Sequence, residues 1–283
     1  MKVLVTGGRG QLGRDLEEIL AAQGHRVAAW GREELDVTVP ASVRDAFRQF
    51  GPEAVVHAAA YTNVDGCESE PERAFRVNAL GTRNVAVACQ ETGAAMVYVS
   101  TDYVFDGSAR EPYTEFDRPN PVNLYGLSKL AGEQYVSTLL HRHFIVRTSW
   151  LYGAHGKNFV KTILQLARER DELSIVHDQV GCPTYSRDLA SAIATLVPTS
   201  LYGIYHVTNA GWCSWFDFAR HILKEAGVEG VEVRPITSLQ LGRPARRPAF
   251  SVLRNYCLEL EGLPPLRPWQ EALREFLAGS IMV

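Results

Sequence analysis

The 283-residue sequence has no apolar run long enough to cross a membrane and no excess of positive charge. A membrane-spanning helix needs about 20 predominantly apolar residues, and no stretch here approaches that length. Lys and Arg total 29 against 32 Asp and Glu, which gives a net charge of -3, whereas nucleic-acid binding uses a basic surface. We therefore expect a cytoplasmic protein with a small-molecule partner, and neither a membrane nor a nucleic acid as a partner.

The sequence is also poor in groups that form disulfides or hold metals. Its five cysteines are odd in number and far apart, which suits reduced thiols better than a disulfide or zinc framework: Cys67, Cys89, Cys182, Cys213 and Cys257. Among the eight histidines, His141 and His143 form a close pair, but no HExxH motif is present. We therefore predict no metal site from the motifs.

The first half of the chain alternates short apolar segments with helical patterns. Strands are predicted at residues 2–6, 25–30, 53–60, 94–100 and 143–148, and helices at 11–23, 40–50, 71–92 and 125–142. Such alternation is typical of a parallel sheet that is covered by helices on both faces. The fold class is therefore predicted to be α/β, with a Rossmann-type, doubly wound parallel sheet.

The alternation weakens after about residue 149, where proline-rich stretches appear. Helices are still predicted near residues 157–170, 186–197, 214–226 and 268–278. We predict a dinucleotide-binding Rossmann domain over residues 1–148 and a smaller, mixed α/β substrate domain over residues 149–283. Whether some segments of the second part return to the Rossmann sheet stays open.

The stretch VTGGRGQLG places Gly7, Gly10 and Gly13 between the first strand and the first helix. Such glycines allow a tight turn, close approach of a phosphate and close packing of helix on strand. The position predicts a dinucleotide site. At the end of the second strand stands Arg32, where NAD-binding proteins have an acidic residue, and a guanidinium can accept the 2′-phosphate of NADP. We favour NADPH over NADH, although Arg32 also fits a solvated loop.

Tyr125 and Lys129 are four residues apart at the start of a predicted helix and so share one face of it. The fourth predicted strand is followed by Thr101. A lysine ammonium near a phenol favours the phenolate, so we expect a lowered pKa for Tyr125. Tyr125 is then a candidate proton donor and acceptor near neutral pH.

Seven segments, in chain order, carry a resemblance to a known family: GGRGQLG, VVHAAAYTNVDGCESE, VNALGT, VYVSTDYVFDG, YGLSK, RTSWLYG and DQVGCPT. The chain resembles the extended short-chain dehydrogenases/reductases, and within them most closely the dTDP-4-dehydrorhamnose reductases, through nearly its whole length. The GxxGxxG spacing from Gly7 also suits the extended members.

The resemblance implies reduction of the C4 ketone of a nucleotide sugar, dTDP-6-deoxy-L-lyxo-4-hexulose, to dTDP-L-rhamnose by NADPH or NADH. Thr101 would hydrogen-bond the C4 oxygen, Tyr125 would donate the proton, and Lys129 would hold the nicotinamide ribose. The chemistry is consistent with this, because a ketone that gains a hydride develops charge on its oxygen, which a pair of donors stabilises.

The same resemblance implies the cofactor contacts. The pyrophosphate would be bound by Gly7, Gly10, Gln11, Leu12 and Gly13, the adenine by Asp36 and Val37, and the ribose and bridging phosphates by Ala58, Ala59, Ala60 and Thr62. Asp36 also fits a turn carboxylate, and the three alanines also fit a plain strand core.

Substrate contacts are implied for Trp150, Asn158, Phe159 and Arg247. Trp150 follows a strand end, where open α/β sheets bind ligands, and its flat indole suits packing against a sugar or a base. A core tryptophan is the alternative. Arg247 can pair with a diphosphate, but Arg243 and Arg246 are close in sequence, and the spacing does not choose among them.

The resemblance also implies homodimers, in some members with a magnesium ion held at the interface by carboxylates that we cannot place here. Rival functions come from the same fold. A dehydratase would have an Asp-Glu pair after the threonine, whereas here Tyr103 follows Asp102. Another nucleotide-sugar 4-reductase, a 4-epimerase, and a non-catalytic subunit like the regulatory subunit of methionine adenosyltransferase stay open.

Overall fold

The computed structural model describes residues 1–280, which are built around a six-stranded parallel sheet. The strands are β1 (Lys2–Thr6), β2 (Arg26–Trp30), β3 (Ala54–His57), β4 (Ala95–Thr101), β5 (His143–Thr148), β6 (Leu151–Tyr152), β7 (Glu172–Val176), β8 (Val180–Gly181), β9 (Thr184–Tyr185), β10 (Gly203–His206), β11 (Cys213–Ser214) and β12 (Glu232–Ile236). The main sheet has the order β10-β5-β4-β3-β1-β2, and all its neighbouring pairs are parallel. The predicted Rossmann-type α/β class is confirmed.

Helices connect these strands. They are α1 (Gln11–Ala22), α2 (Pro40–Phe50), α3 (Val64–Ser69), α4 (Pro71–Phe75), α5 (Thr82–Thr92), α6 (Leu124–Leu139), α7 (Phe159–Glu169), α8 (Ser186–Leu196), α9 (Trp215–Glu225), α10 (Ser238–Leu241), α11 (Tyr256–Leu260) and α12 (Trp269–Ser280). Among the helices of residues 1–280, none combines the length and the apolar character that a lipid bilayer requires.

Both faces of the sheet are buried because its strands are apolar on both sides. Val3 and Val5 of β1 pack with α1 and α8 on one face, whereas Leu4 packs with α2, α5 and α6 on the other. Alternate residues of a strand point to opposite faces, so a continuous apolar run supplies both cores. Each buried Val or Leu side chain contributes roughly 1.5–3 kcal/mol.

The predicted helix over residues 71–92 is a continuous run that changes its winding. It starts as α4, passes through a π-helical turn at Arg76–Gly81 and continues as α5. Such π-helical turns often mark functional sites. Here the turn contains Asn78, whose buried side chain reaches the loop after β3.

The predicted strand over residues 53–60 ends earlier than expected, at His57. The Ala58 backbone N–H still donates to the Thr6 carbonyl of β1 at 3.3 Å, whereas the Ala59 N–H donates to the Thr6 side-chain hydroxyl and not to a backbone carbonyl. The backbone pairing with β1 therefore ends at Ala58, and Ala59 and Ala60 continue as a loop.

The second half of the chain contains the four helices predicted there, together with β6–β12, α10 and α11, which the sequence pattern did not reveal. In the first half, the short helix α3 was also not predicted. A separate apolar core joins α7, α9 and α12, and includes Tyr152, Phe218 and Phe276. Two segments of this half lie on the main sheet: β10 is its edge strand, and α8 packs on α1, where Ser186 donates a hydrogen bond to buried Asp15.

Candidate active site

A cavity of about 680 Å³ opens at the carboxyl ends of β1, β3, β4 and β5. In the sheet, β1 lies between β2 and β3, so the strand order reverses at β1. Open α/β sheets bind ligands at such a switch point. The wall includes most of the predicted site residues: Gly7, Gly10, Gln11, Leu12, Gly13, Arg32, Asp36, Val37, Ala58, Ala59, Ala60, Thr62, Thr101, Tyr125, Lys129 and Trp150.

The glycine turn brings the backbone close to the loop after β3. Gly7 has φ +69°, and a Cβ there would lie 2.8 Å from the backbone nitrogen of Ala59. Gly10 precedes α1 in extended conformation, and no side chain caps the helix. The first N–H groups of α1 therefore remain available on the cavity side, where the helix dipole favours an anion.

Two arginines lie at the end of the cavity beside β2. Arg32 contacts Asp36 at 3.2 Å, and Arg9 contacts Glu34 at 2.7 Å. Both guanidinium side chains are more than half exposed, so they can also bind an incoming anion. Arg9 was not predicted as a site residue; it lies within the glycine turn and reaches over Gly31. Its position in the sequence, between Gly8 and Gly10, does not indicate the direction of its side chain.

Asn78 fixes the loop after β3. Its side chain accepts a hydrogen bond from the Tyr61 backbone at 2.7 Å and donates to the Tyr61 carbonyl at 3.1 Å. It also donates to the Ser128 hydroxyl of α6 at 3.0 Å. Because Asn78 is fully buried, this arrangement holds the wall formed by Ala58–Thr62 against the helix that carries Tyr125.

The structure brings Thr101, Tyr125 and Lys129 together. Asn123 caps α6 by accepting a hydrogen bond from Gly126 at 2.8 Å, which starts the helix just before Tyr125. Thr101 ends β4 and shares a hydrogen bond with the Tyr125 hydroxyl. The Lys129 ammonium donates to the Val99 carbonyl at 2.7 Å and lies 4.1 Å from the Tyr98 ring centroid. Two hydroxyls and a buried amine therefore share one wall.

The expected lowering of the Tyr125 pKa is wrong for this arrangement. Burial raises the pKa of Tyr125, and the hydrogen bond with Thr101 offsets this only in part. Burial also lowers the pKa of Lys129 to about 7, against the opposing effect of Glu133. The reason is that spacing predicts which groups are neighbours, whereas the loss of solvent, which disfavours both charged forms, depends on the whole fold.

Asp102 is a buried neighbour whose role the sequence did not show. Its carboxyl accepts a hydrogen bond from the Thr101 hydroxyl at 3.0 Å. Burial raises the pKa of Asp102 to about 7, although hydrogen bonds from Ser251 and Thr101 act in the opposite direction. The carboxyl group is therefore partly protonated near neutral pH. Only the structure reveals this burial.

Trp150 has an unusual backbone, with φ +47°, a left-handed conformation that is rare for residues other than glycine. Its indole stacks on Trp215 with the ring centroids 3.5 Å apart and the planes 7° from parallel. A Cβ on Gly181 would come within 2.6 Å of the same indole. The ring of Trp150 is therefore held from two elements, and the strained backbone points to a functional position. Trp215 lies in a distant segment, so the sequence did not single it out.

Three predicted substrate contacts are described by the structure but do not line the cavity. Asn158 caps α7 through the Lys161 backbone at 3.1 Å and donates to Gln11 at 3.0 Å. Phe159 packs on Trp215, with the centroids 4.4 Å apart. Arg247 forms a two-pronged ion pair with Asp65, at 2.9 and 3.0 Å. Each has a structural role, and direct substrate contact by these three stays a prediction.

Comparison with known proteins agrees with this geometry. The model of the family described as the RmlD substrate binding domain matches residues 1–281. The chain belongs to this family. Similar proteins include a dTDP-4-dehydrorhamnose reductase of Streptomyces griseus, 45% identical in an alignment of 278 residues that covers 96% of this chain and 91% of that protein. Another is the spore coat polysaccharide biosynthesis protein SpsK of Bacillus subtilis (strain 168), 43% identical over 98% of this chain and 96% of that protein.

A solved structure of similar fold also carries the name dTDP-4-dehydrorhamnose reductase. The dTDP-4-dehydrorhamnose reductase of Bacillus anthracis str. Ames, determined in complex with NADP, superposes with a TM-score of 0.96 at 46% identity and covers 98% of this chain and 99% of that one. Because the match extends over both halves, the cavity and its walls belong to one RmlD-family arrangement.

Proposed function

We propose that this RmlD-family protein is an NADPH-dependent oxidoreductase that reduces the C4 ketone of dTDP-6-deoxy-L-lyxo-4-hexulose to dTDP-L-rhamnose. The observation that carries the proposal is the convergence of Thr101, Tyr125 and Lys129 on the wall that also contains the glycine turn. Similarity to proteins named dTDP-4-dehydrorhamnose reductase supports the substrate.

The cofactor would lie across the carboxyl ends of the strands. Its pyrophosphate would meet the uncapped start of α1, and its adenosine would approach Asp36 and Val37. Arg32 and Arg9 would bind the 2′-phosphate, because guanidinium groups form strong hydrogen bonds with phosphate oxygens. The NADP complex of a relative supports this choice over NADH.

The chain's own residues would stabilise the charge that develops on the ketone oxygen. When bound, the reduced nicotinamide supplies the hydride. Thr101 and Tyr125 would offer two hydroxyl donors to the C4 oxygen. Since burial raises the pKa of Tyr125, this phenol stays protonated at neutral pH and can deliver the proton. Lys129 would bind the nicotinamide ribose and place a positive charge beside the phenol.

The neighbouring residues argue against dehydration. An elimination of water needs an acid and a base next to the threonine, and here Asp102 is followed by Tyr103, whose pKa burial raises. A 4-epimerase would use the same donors but return the hydride to the sugar. Such an enzyme consumes no cofactor, so the two activities differ in a direct assay.

The decisive experiment follows the absorbance of NADPH and of NADH in separate reactions with dTDP-6-deoxy-L-lyxo-4-hexulose and with its UDP counterpart, and identifies the sugar product. We expect rapid NADPH oxidation with the dTDP sugar and formation of dTDP-L-rhamnose. A reaction without sugar is the control for background oxidation. If neither sugar is reduced while NADPH still binds, the proposed substrate is wrong, and a regulatory binder becomes the better interpretation.

We further propose a homodimer, by resemblance to the family. Light scattering after gel filtration measures its mass, and a monomer at micromolar concentration would refute it. The interface magnesium ion also stays a prediction. Among residues 1–280, no group of three or more His, Cys, Asp or Glu residues is placed to hold a metal ion. No step of the mechanism uses a metal ion.

A further inference from the structure

A buried ion pair lies directly behind the candidate catalytic residues. Glu133 of α6 and Arg147 of β5 are 2.7 Å apart, and their side chains are 5% and 2% exposed. Arg147 makes a second contact to Glu133 through Nε at 3.0 Å, and the Ser100 hydroxyl donates to the same carboxylate at 2.6 Å. The Glu133 carboxylate therefore joins three elements of the fold.

The strand register explains why these groups meet. Ser100 of β4 is paired with Arg147 of β5, and the next pair is Thr101 with Thr148. Successive residues point to opposite faces of a sheet. The Ser100 and Arg147 side chains reach Glu133 on α6. The next pair, Thr101 and Thr148, lines the cavity, which Ser100 also borders. The Glu133 contacts therefore hold β4 at the residue that precedes Thr101.

Glu133 is also placed to act on Lys129. It follows Lys129 by four residues on α6, so the two side chains lie one helical turn apart on the same face. Both are almost completely buried. In such surroundings the Coulomb interaction between opposite charges is much stronger than at a protein surface.

We propose that Glu133 is a positioning residue, which fixes the end of β4 to α6 and keeps the Lys129 side chain in its ammonium form. The proposal rests on the proposed function. Stability alone is a weak explanation for such a pair, because burying two charges costs about as much desolvation energy as their attraction returns. Apolar residues of similar size would fill the same space.

The other charged and titratable groups around Lys129 do not replace this carboxylate. Lys129 is faced by His57 of β3 and Tyr98 of β4, and it shares the cavity wall with Asp102 and Tyr125. Beside Glu133 lie Arg147 of β5 and His206 of β10, which interacts with Arg147. Burial keeps His57 neutral, with a pKa of about 3, and raises the pKa of Asp102 to about 7. Glu133 is therefore the carboxylate that opposes the effect of burial on Lys129.

The test is the pH dependence of turnover and of NADPH binding in Glu133→Gln. Lys129 has a pKa of about 7, so an activity that needs the ammonium declines as pH rises through that value. Removing an opposite charge should shift this decline about one pH unit lower and reduce turnover at pH 7 roughly fivefold. Lys129→Met tests whether the decline comes from the titration of Lys129, because a variant without the amine should show no such decline.

Two further variants separate positioning from folding. Glu133→Gln leaves Arg147 buried without its partner, so the double variant Glu133→Gln/Arg147→Met removes both charges and should restore stability while keeping the lowered pH midpoint. Ser100→Ala keeps both charges and should lower turnover severalfold with an unchanged midpoint. An unchanged midpoint in the folded double variant would overturn the proposal.

Measuring NADPH binding tests the role of Glu133 without using the sugar substrate. NADPH affinity, followed by its fluorescence between pH 5 and 9, reports the charge of Lys129 even if the proposed substrate is wrong. A shifted midpoint for NADPH binding together with no sugar reduction would support the role of Glu133 and reject the proposed substrate. Normal sugar reduction together with unshifted pH midpoints would support the proposed substrate and reject the role of Glu133.

Discussion

Replacing Tyr125 by phenylalanine removes a single oxygen atom from the candidate active site. The ring would keep its edge-on contact with Tyr103, 5.9 Å between centroids, so the wall of the cavity should keep its shape. The oxygen is the partner of the Thr101 hydroxyl, and its loss removes one neutral hydrogen bond, worth about 1 kcal/mol of folding free energy. The folded protein should therefore be obtained.

The effect on turnover should be far larger. General acid catalysis contributes about 10²–10⁴-fold, which is about 3–5 kcal/mol of activation free energy. Because Thr101 remains as a donor to the ketone oxygen, we expect a loss of roughly 10³-fold in kcat. NADPH affinity should change less than about threefold, since Lys129 and the glycine turn are untouched.

The assay is the initial rate of NADPH oxidation, with the dissociation constant of NADPH measured in parallel by fluorescence. Tyr103→Phe is the matched control: it removes a hydroxyl from a neighbouring, half-buried ring that does not line the cavity, and it should reduce kcat less than about tenfold. Wild-type turnover in Tyr125→Phe, or equal losses in both variants, would refute the assigned proton donor.

Two other predictions concern cofactor choice and acid stability. Arg32→Ala should weaken the binding of NADPH about tenfold more than the binding of NADH. The control is Arg48→Ala, which removes an equally exposed arginine on α2 and should weaken the binding of neither cofactor. Equal losses of affinity for the two cofactors would show that Arg32 does not bind the 2′-phosphate. His57 and His206 are buried with pKa values of about 3, so the unfolded chain binds more protons below pH 6.5. Between pH 7 and pH 5 the free energy of unfolding should fall by about 2 kcal/mol per histidine, and urea unfolding that is flat over this range would contradict the assignment.

The parts of the site that the sequence predicted are those fixed by local geometry. Gly7, Gly10 and Gly13 act within one turn, and Tyr125 and Lys129 lie four residues apart on one helix, so spacing alone relates them. Strands that are apolar on both faces predicted the parallel sheet for a similar reason. Such features need no knowledge of distant segments.

The parts that were missed depend on long-range packing. The stacking of Trp215 on Trp150 and the reach of Asn78 across to α6 join segments that the sequence keeps apart. The direction of the Tyr125 pKa was mistaken because solvent exclusion is a property of the assembled fold. The contact of Arg247 with Asp65 across the chain could not be read from spacing either, and the contact of Arg247 with a diphosphate stays a prediction.

The position of β10 affects how this enzyme could be re-engineered. Gly203–His206 pairs in parallel with residues 144–147, so a chain cut after Thr148 would leave the edge of β5 without its hydrogen-bonded neighbour. Unpaired strand edges invite aggregation. Exchanging everything after Thr148 with a relative would also replace α8, which packs against the helix that follows the glycine turn. Grafts that aim to alter substrate choice should therefore exchange individual loops around Trp150 and leave residues 186–206 with their original sheet.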